Sequence, residues 1–209
     1  MDTFKYKENK LHCEDVNLSE IASSFGTPAY VYSKKALTEN ALMYVNSFTN
    51  PDNMACFSVK SLSNLSVLKL LKEVGCGFDV VSGGEMHRAL SIGADPKSII
   101  FSGVGKSSDE IKQGILNKIL SFNVESVSEL YKIEAIAKKL QINASVSIRF
   151  NPDIDSGGHD YITTGRKGDK FGISSIEDIL NLSTYISESP NLNMVGLACH
   201  IGSQIINLE

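Results

Sequence analysis

From about residue 54 onward, short apolar runs alternate with segments of helical period, and this alternation constrains the fold more than any other feature of the sequence. The apolar runs are rich in β-branched and aromatic residues. They cover residues 54–59, 77–81, 98–102, 119–123, 144–149 and 194–200. Strands that alternate with helices are typical of parallel sheets, because each helix carries the chain back to start a neighbouring strand. The sequence therefore predicts an α/β fold with six parallel strands.

Helical segments fall between these runs. The clearest covers residues 126–140, where apolar side chains recur at steps of three and four, with Ser126 as the N-cap and Glu129 at the capping-box position. Further helices are predicted to begin after Ser63, near Gly84, at Ser107 and after Ser174. All are amphipathic, so they are expected to cover the outside of a barrel or an open sheet.

The first fifty residues lack this alternation and predict a small, separate β element. The segments FKY and LHC flank a turn at residues 8–10 and form a possible hairpin, followed by a helix over residues 18–25. Thr27-Pro28 then leads into AYVYS, which is predicted to be a strand. A long glycine-rich segment over residues 150–171 is expected to be a functional or mobile loop.

Composition disfavours several classes of function. A net charge of -4 with no Lys/Arg-rich run leaves no basic surface for nucleic acid. The N-terminus lacks an apolar signal region and no stretch of about 18 apolar residues occurs, so we expect a cytoplasmic protein without membrane insertion. The four cysteines show no C-x-x-C spacing and are predicted to be reduced. They form no metal-ligand pattern with the four histidines.

Polar or glycine residues lie inside or directly after all six apolar runs. They are Lys60, Asp79, Gly103, Asn123, Arg149 and His200. In parallel α/β folds, active sites are built at the carboxyl ends of the strands. Any one of these residues could simply mark the point where a buried strand emerges. Their occurrence in every run predicts instead a shared site at one rim of the sheet.

Lys60 carries the most distinctive chemistry of the set. It directly follows the apolar run ACFSV, so we expect partial burial, which favours the neutral amine that can form an imine with a carbonyl. The alternative is a lysine whose stem reaches to solvent from the end of a strand. Asp79 would need a partner if buried, and Lys60 on the neighbouring strand could supply one.

Two glycine-rich turns are candidate phosphate sites. The run SGVGKSS resembles a P-loop, but that motif requires glycine five positions before Gly105, where this chain has Ile100. A nucleotide-triphosphatase function is therefore disfavoured. The run SGGE at residues 82–85 is consistent with a tight β-α turn with exposed amides, which is unspecific by itself.

Several segments in order resemble one enzyme family. They are FSVKSLSNLSVL, GCGFDVVSGGE, RFNP, HDYITTGRKGDKFGI and ACHIGSQI. From about residue 26 to residue 209 the chain resembles the fold-type III, alanine-racemase-like decarboxylases that act on basic amino acids. The resemblance implies pyridoxal 5'-phosphate as cofactor. It also implies a parallel (β/α)8 TIM-type barrel, here truncated after about six strands.

The resemblance assigns roles to individual residues. It implies that Lys60 forms the imine with the cofactor and that His200 stacks on the cofactor ring, these two being the catalytic residues. Ser203 would help to hold the phosphate. The other predicted cofactor-binding residues are Asp79, Glu85, Arg149 and Gly202. The chain departs from the family pattern at Ser61 and Leu62, where alanine and asparagine are usual, and at Gly158, where threonine is usual.

The resemblance also implies a longer protein. A barrel of eight strands cannot close with six, so the chain is expected to be an N-terminal fragment, inactive alone, with an open edge and an apolar interior lined by Ile148, Val195 and Leu197. Residues 1–33 would belong to a β domain completed by the missing half, and residues 34–209 to the incomplete cofactor-binding barrel. A homodimer is expected at full length.

The expected reaction is decarboxylation of meso-diaminopimelate to L-lysine. Ornithine, arginine or carboxynorspermidine decarboxylation on the same fold stays an alternative, because much of the substrate site would lie outside this chain. A catalytically silent homologue that binds the cofactor or a partner enzyme is a second alternative. It is disfavoured because Lys60, Asp79, Arg149 and His200 are all retained.

Overall fold

The structure is a computed structural model that describes residues 3–154, 171–203 and 205. The strands are β1 Phe4–Lys7, β2 Lys10–Cys13, β3 Val16–Asn17, β4 Cys56–Ser58, β5 Gly77–Val80, β6 Ile99–Phe101, β7 Ser121–Val124, β8 Ala144–Phe150 and β9 Leu192–Cys199. The helices are α1 Leu18–Phe25, α2 Lys34–Val45, α3 Leu65–Glu73, α4 Gly83–Ser91, α5 Ser108–Asn117, α6 Val127–Leu140 and α7 Ile176–Glu188. Two compact units result, one of residues Met1–Phe57 and Asn64–Gly77, the other of Ser58–Ser63 and Phe78–Glu209.

The first unit begins with the predicted hairpin. Strands β1 and β2 pair antiparallel, and β3 adds to β2. Glu8 and Asn9 at the turn have φ of 49° and 62°, the left-handed conformation that a tight hairpin turn requires and that asparagine tolerates well. Helix α1 follows with the predicted bounds, and the Asn17 side chain caps it by accepting a hydrogen bond from the Ser19 N–H.

The predicted strand AYVYS is wrong, because residues 29–33 form no strand in the structure. Tyr30 and Tyr32 are 91% and 49% exposed, so the alternation of small and aromatic side chains covers no apolar surface here. Strand propensity expresses a fit to neighbouring strands and has no effect without a partner. Ser33 instead caps α2, a helix that the sequence analysis missed, by accepting a hydrogen bond from the Ala36 N–H at 2.9 Å.

The larger sheet has the order β4-β5-β6-β7-β8-β9, so strands follow each other in space as they do along the chain. Strands β5 through β9 pair in parallel with their neighbours. All six predicted strands are present, and α3 to α7 lie between them in sequence. This confirms the predicted α/β fold with a parallel sheet, preceded by a small antiparallel element.

The two faces of this sheet differ in chemistry. On one face, Val124, Ile148 and Leu197 are register partners, and on the other Asn123, Ser147 and Gly196 are partners. The apolar face packs against helices, as the ring of Phe122 beneath Gly114 of α5 shows. The opposite face carries small and polar residues.

The predicted apolar interior is therefore wrong. Ile148 is fully buried and shares the helix-facing side with Leu197, which is 60% exposed on the last strand. Val195 lies at the β-bulge between Val146 and Ser147 and is 45% exposed. A run of apolar residues does not reveal which of its side chains point inward, and on these strands the apolar ones point toward the helices.

The core of the second unit is built from aromatic and branched residues of the strands. Phe101 and Phe122 on adjacent strands stack with their ring centroids 6.0 Å apart. Ile111, Leu130 and Ile133 from the covering helices are fully buried. Among the described residues, no helix is long and apolar enough to cross a membrane.

Gly114 should be intolerant of a side chain. A Cβ there would lie 2.5 Å from Cζ of the buried Phe122 ring, so Gly114→Ala should destabilise the complete protein by about 1–3 kcal/mol through overpacking. Gly84→Ala in α4 is the matched control, because its nearest neighbour would be 3.9 Å away. Urea unfolding compares the two, and equal stability for both variants would contradict the packing described here.

Tyr185 should titrate late in alkaline solution. Its hydroxyl donates a hydrogen bond to Glu134, which raises the pKa of Tyr185 to about 12 from 10.0. Since the folded pKa exceeds the unfolded one, this bond stabilises the fold fully below pH 10.0, and its contribution is lost as the pH approaches 12. Near-ultraviolet absorbance should show one late tyrosinate that Tyr185→Phe removes, and an unchanged titration curve would refute the interaction.

Candidate functional site

A chain of hydrogen bonds joins four neighbouring strands on the polar face of the sheet. The Asp79 carboxylate of β5 accepts from Ser58 Oγ of β4 at 3.3 Å and from Ser102 Oγ, which follows β6, at 2.5 Å. Asn123 Nδ2 of β7 donates in turn to Ser102 Oγ at 3.0 Å. The Asp79 carboxylate is thus held between two hydroxyl donors.

His200 lies within electrostatic reach of the other charged residues of this rim. Partial desolvation of the imidazole ring lowers the pKa of His200, and the nearby cations Arg149 and Lys60 lower it further. Asp79 and Glu125 act in the opposite direction. Lys60, Asp79 and Arg149 therefore all act electrostatically on His200. That these four residues form one cofactor site stays a prediction.

Lys60 is placed at this rim, but its surroundings differ from those expected. It lies in a short 3-10 turn, Val59–Ser61, and its side chain is exposed. The expected partial burial of the Lys60 side chain is therefore wrong. Ser61, one of the departures from the family pattern, donates its hydroxyl to the Ser58 carbonyl at 2.7 Å and so closes the turn that carries Lys60.

Arg149 is held by a buried carboxylate that the sequence analysis did not identify. Its Nη1 donates to Glu125 Oε1 at 2.8 Å, and both side chains are largely buried. The ring of Phe171 lies against the guanidinium, with Cζ of Arg149 4.8 Å from the ring centroid. Such a stacked, paired arginine has its plane fixed by two contacts at once.

Lys106, the lysine of the run SGVGKSS, forms its hydrogen bonds with groups of the protein. Its amine donates to the carbonyls of Gly103 and Asn123 at 2.7 and 2.8 Å and to Glu129 Oε1 at 3.0 Å. Burial lowers the pKa of Lys106, while Glu129 partly restores it. All three of the amine's donor positions are satisfied inside the protein, so Lys106 joins two β-α turns and does not reach a ligand.

Two β-α turns share one design, in which a serine caps the helix and a glutamate three residues later closes the turn. Ser82 accepts from the Glu85 N–H at 3.2 Å, and Glu85 Oε2 accepts from the Val81 N–H at 2.8 Å. The predicted cofactor-binding Glu85 thus lies in the turn beside Asp79, with its carboxylate on the backbone.

The second copy of this turn precedes α6. Ser126 accepts from the Glu129 N–H at 3.2 Å, whereas Glu129 Oε2 accepts from the Glu125 N–H at 2.7 Å. The Glu129 carboxylate therefore does not close a capping box onto Ser126, as its position suggested, but bonds one residue earlier. The spacing V-x-S-x-x-E in both turns was the signal that could have revealed this device.

The remaining predicted residues lie beyond β9. Gly202 is partly buried and Ser203 is exposed, and both follow His200 at the same end of the sheet. Most of the predicted loop 150–171 lies outside the described residues. Among the residues that are described, no cluster of three or more His, Cys, Asp or Glu is placed to hold a metal ion.

Comparison with known families shows the family of this chain. A family model described as "Pyridoxal-dependent decarboxylase, pyridoxal binding domain" matches residues 34–209. The chain belongs to this family. The pyridoxal-dependent decarboxylases use pyridoxal phosphate. The roles of Lys60, Asp79 and His200 toward that group stay a prediction.

Individual relatives agree with the family. The chain is 44% identical over 209 residues to diaminopimelate decarboxylase of Haemophilus influenzae, covering all of this chain and 50% of that protein. The crystal structure of diaminopimelate decarboxylase from Helicobacter pylori complexed with L-lysine matches with a TM-score of 0.87 at 42% identity over 92% of this chain and 49% of that one.

The corresponding structure from M. jannaschii, also in complex with L-lysine, has a TM-score of 0.86 and 35% identity over 97% of this chain and 48% of that one. The chain therefore spans about half the length of the relatives it matches.

Breaking the buried Lys106–Glu129 pair should be costly. Lys106→Met leaves the Glu129 carboxylate buried without its cation, and we expect the complete protein to lose about 3–5 kcal/mol of stability. The double variant Lys106→Met/Glu129→Gln removes both charges and should recover part of the loss. Chemical denaturation measures both, and a loss well under about 1 kcal/mol in the single variant would show that the pair is not buried as described.

Proposed function

We propose that the complete protein is a carboxy-lyase that uses pyridoxal phosphate to convert meso-diaminopimelate into L-lysine. The observation that carries the proposal is the convergence of Lys60, Asp79, Arg149 and His200 at one rim of a sheet in a pyridoxal-binding domain. Curated relatives named diaminopimelate decarboxylase, at 42–45% identity, support the substrate.

Diaminopimelate is favoured over the other basic amino acids by the pattern of similarity. Solved diaminopimelate decarboxylases are 27–42% identical to this chain, and three of these structures are complexed with L-lysine. A lysine/ornithine decarboxylase and an arginine decarboxylase are 20% and 23% identical, which supports only a common fold. Ornithine, arginine and carboxynorspermidine remain alternative substrates.

Lys60 would attach the cofactor, because its amine is exposed at the rim and can approach an aldehyde from outside the sheet. When bound, pyridoxal phosphate supplies an electron sink for the pair of electrons left behind as the carboxylate departs as carbon dioxide. Asp79, held by Ser58 and Ser102, would keep a carboxylate in a fixed place beside the amine and accept a hydrogen bond from its protonated form.

The other residues would bind and orient. His200 would lay its ring on one face of the cofactor, and its lowered pKa favours the neutral imidazole suited to stacking. Arg149 would present a charge already neutralised by Glu125. Gly202 and Ser203 would supply backbone and hydroxyl donors for the phosphate. Glu85 would keep the turn after Asp79 in place.

We also propose that residues 1–33 belong to a β domain that the remainder of the complete protein finishes, and that the complete protein is a homodimer. The AYVYS segment supports the first point, because it has strand-like sequence and exposed tyrosines but no strand partner among the described residues. The division at residue 33 does not coincide with the compact units of this chain and stays a prediction.

Reductive trapping tests the role of Lys60. In the complete protein, borohydride treatment after addition of pyridoxal phosphate should attach the cofactor to Lys60, as peptide mass spectrometry detects. Lys60→Ala should abolish both attachment and release of carbon dioxide from meso-diaminopimelate. Lys97→Ala is the control, because Lys97 is an exposed lysine in the turn before β6, away from the carboxyl ends of the strands.

Two outcomes would contradict the proposal in different ways. Attachment at another lysine with Lys60 unmodified would reject the site. Attachment at Lys60 without carbon dioxide release from any basic amino acid would keep the site and favour a catalytically silent homologue.

A further inference from the structure

We infer that Glu125 is a positioning residue that aims the Arg149 guanidinium into the rim, a role that rests on the proposed function and deepens it. Glu125 follows β7 directly and is 5% exposed. Nothing in the sequence patterns singled it out. In the structure it is the carboxylate on which three different segments of the second unit converge.

The Glu125 carboxylate accepts three hydrogen bonds. Oε1 accepts from Arg149 Nη1 at 2.8 Å and from the Gly103 N–H at 3.0 Å, and Oε2 accepts from the Gly172 N–H at 3.1 Å. A buried carboxylate is stable only when donors of this kind replace water. Each oxygen is therefore directed by its partners, and the side chain has no freedom to leave Arg149.

The backbone of Glu125 is fixed as firmly as its side chain. Its N–H donates to Glu129 Oε2 at 2.7 Å, and the other oxygen of Glu129 pairs with Lys106 at 3.0 Å. Lys106 also holds the carbonyl of Asn123, two residues before Glu125. The carboxylate that orients Arg149 is thus anchored through a second buried ion pair, not through solvent-exposed contacts.

Arg149 is confined on its other sides as well. The Phe171 ring lies on the guanidinium, and the Arg149 carbonyl accepts from the Ile173 N–H at 2.8 Å. Gly172 has φ of 73°, and a Cβ there would lie 2.8 Å from the Arg149 carbonyl oxygen, so only glycine fits. Removing Glu125 would leave a cation without its counter-charge in this confined space.

The turn itself does not require a carboxylate at position 125. Val81 occupies the equivalent place in the V-x-S-x-x-E turn before α4, and that turn closes with the same two hydrogen bonds. The side chain of Glu125 is therefore not needed to build the turn. The side chain of Glu125 instead accepts hydrogen bonds from Arg149 and from the N–H groups of Gly103 and Gly172.

The test compares Glu125→Gln with Glu110→Gln in the complete protein carrying its cofactor. Glu110 is the matched control, because its carboxylate also accepts from a glycine N–H, that of Gly83 at 2.7 Å, and no arginine among the described residues forms an ion pair with it. We expect Glu125→Gln to lower kcat about 10- to 100-fold through misplacement of Arg149, with a smaller change in KM. Glu110→Gln should leave both near the wild-type values.

A titration of His200 tests the Glu125–Arg149 interaction without measuring catalysis. Among the described residues, the charged groups that act electrostatically on His200 are Lys60, Asp79, Arg149 and Glu125. Loss of the negative charge of Glu125 should lower the pH at which the His200 imidazole is half protonated, as followed by NMR. The His200→Gln variant identifies the His200 signal. Glu110→Gln should not change the pH of half protonation, and neither should Glu125→Asp, which keeps the charge. Glu125→Asp should still lower kcat, because a shorter side chain cannot span all three donors.

These readouts separate the inference from the proposed function. If wild type neither attaches the cofactor nor releases carbon dioxide, the proposed function fails, yet the His200 shift still tests the Glu125–Arg149 pair. An unchanged His200 midpoint and unchanged kcat in Glu125→Gln would overturn the inference. Should Glu125→Gln fail to fold, Glu125→Asp decides: wild-type kcat in that variant would equally overturn it.

Discussion

Two buried ion pairs, Arg149–Glu125 and Lys106–Glu129, are the interactions on which the geometry of this rim depends. They are joined through the Glu125 N–H on Glu129, so they act as one unit between the ends of β6, β7 and β8. Buried pairs of this kind add little net stability compared with apolar packing, but breaking one is costly. Their effect is to allow only one arrangement of the β-α turns that surround the site.

The polar face of the sheet provides the second constraint. Small residues such as Ser147 and Gly196 lie on this face, and Asp79, Ser102 and Asn123 form a hydrogen-bonded line across it. Large apolar side chains such as Phe101, Phe122 and Ile148 lie on the helix-covered face. One face thus carries much of the apolar packing, and the other carries the polar groups of the rim.

The parts of the fold that follow from local periodicity were predictable from the sequence. The six strands, α1 and α6 are present because alternation of apolar and polar residues directly reflects which side is buried. AYVYS is no strand because strand formation depends on a partner that local sequence does not specify. The sequence analysis also did not predict helix α2. Lys60 is exposed although an apolar run precedes it, because the burial of a residue at a strand end depends on tertiary contacts.

The site was predictable only in part for the same reason. Lys60, Asp79, Arg149 and His200 could be placed together because parallel strands bring their carboxyl ends to one edge. Glu125 and Lys106 could not, since their importance comes from contacts between turns far apart in sequence, such as Lys106 with Glu129. Only the repeated V-x-S-x-x-E spacing hinted at this connection.

The most direct measurement is a crystal structure of the complete protein with pyridoxal phosphate. We expect continuous electron density between the cofactor and Nζ of Lys60, with His200 and Asp79 beside it. The second unit also has a cavity of about 180 Å³ at the amino-terminal ends of the strands, lined by Lys97 and Lys118 among others. Cofactor bound there, or joined to any lysine other than Lys60, would contradict the account.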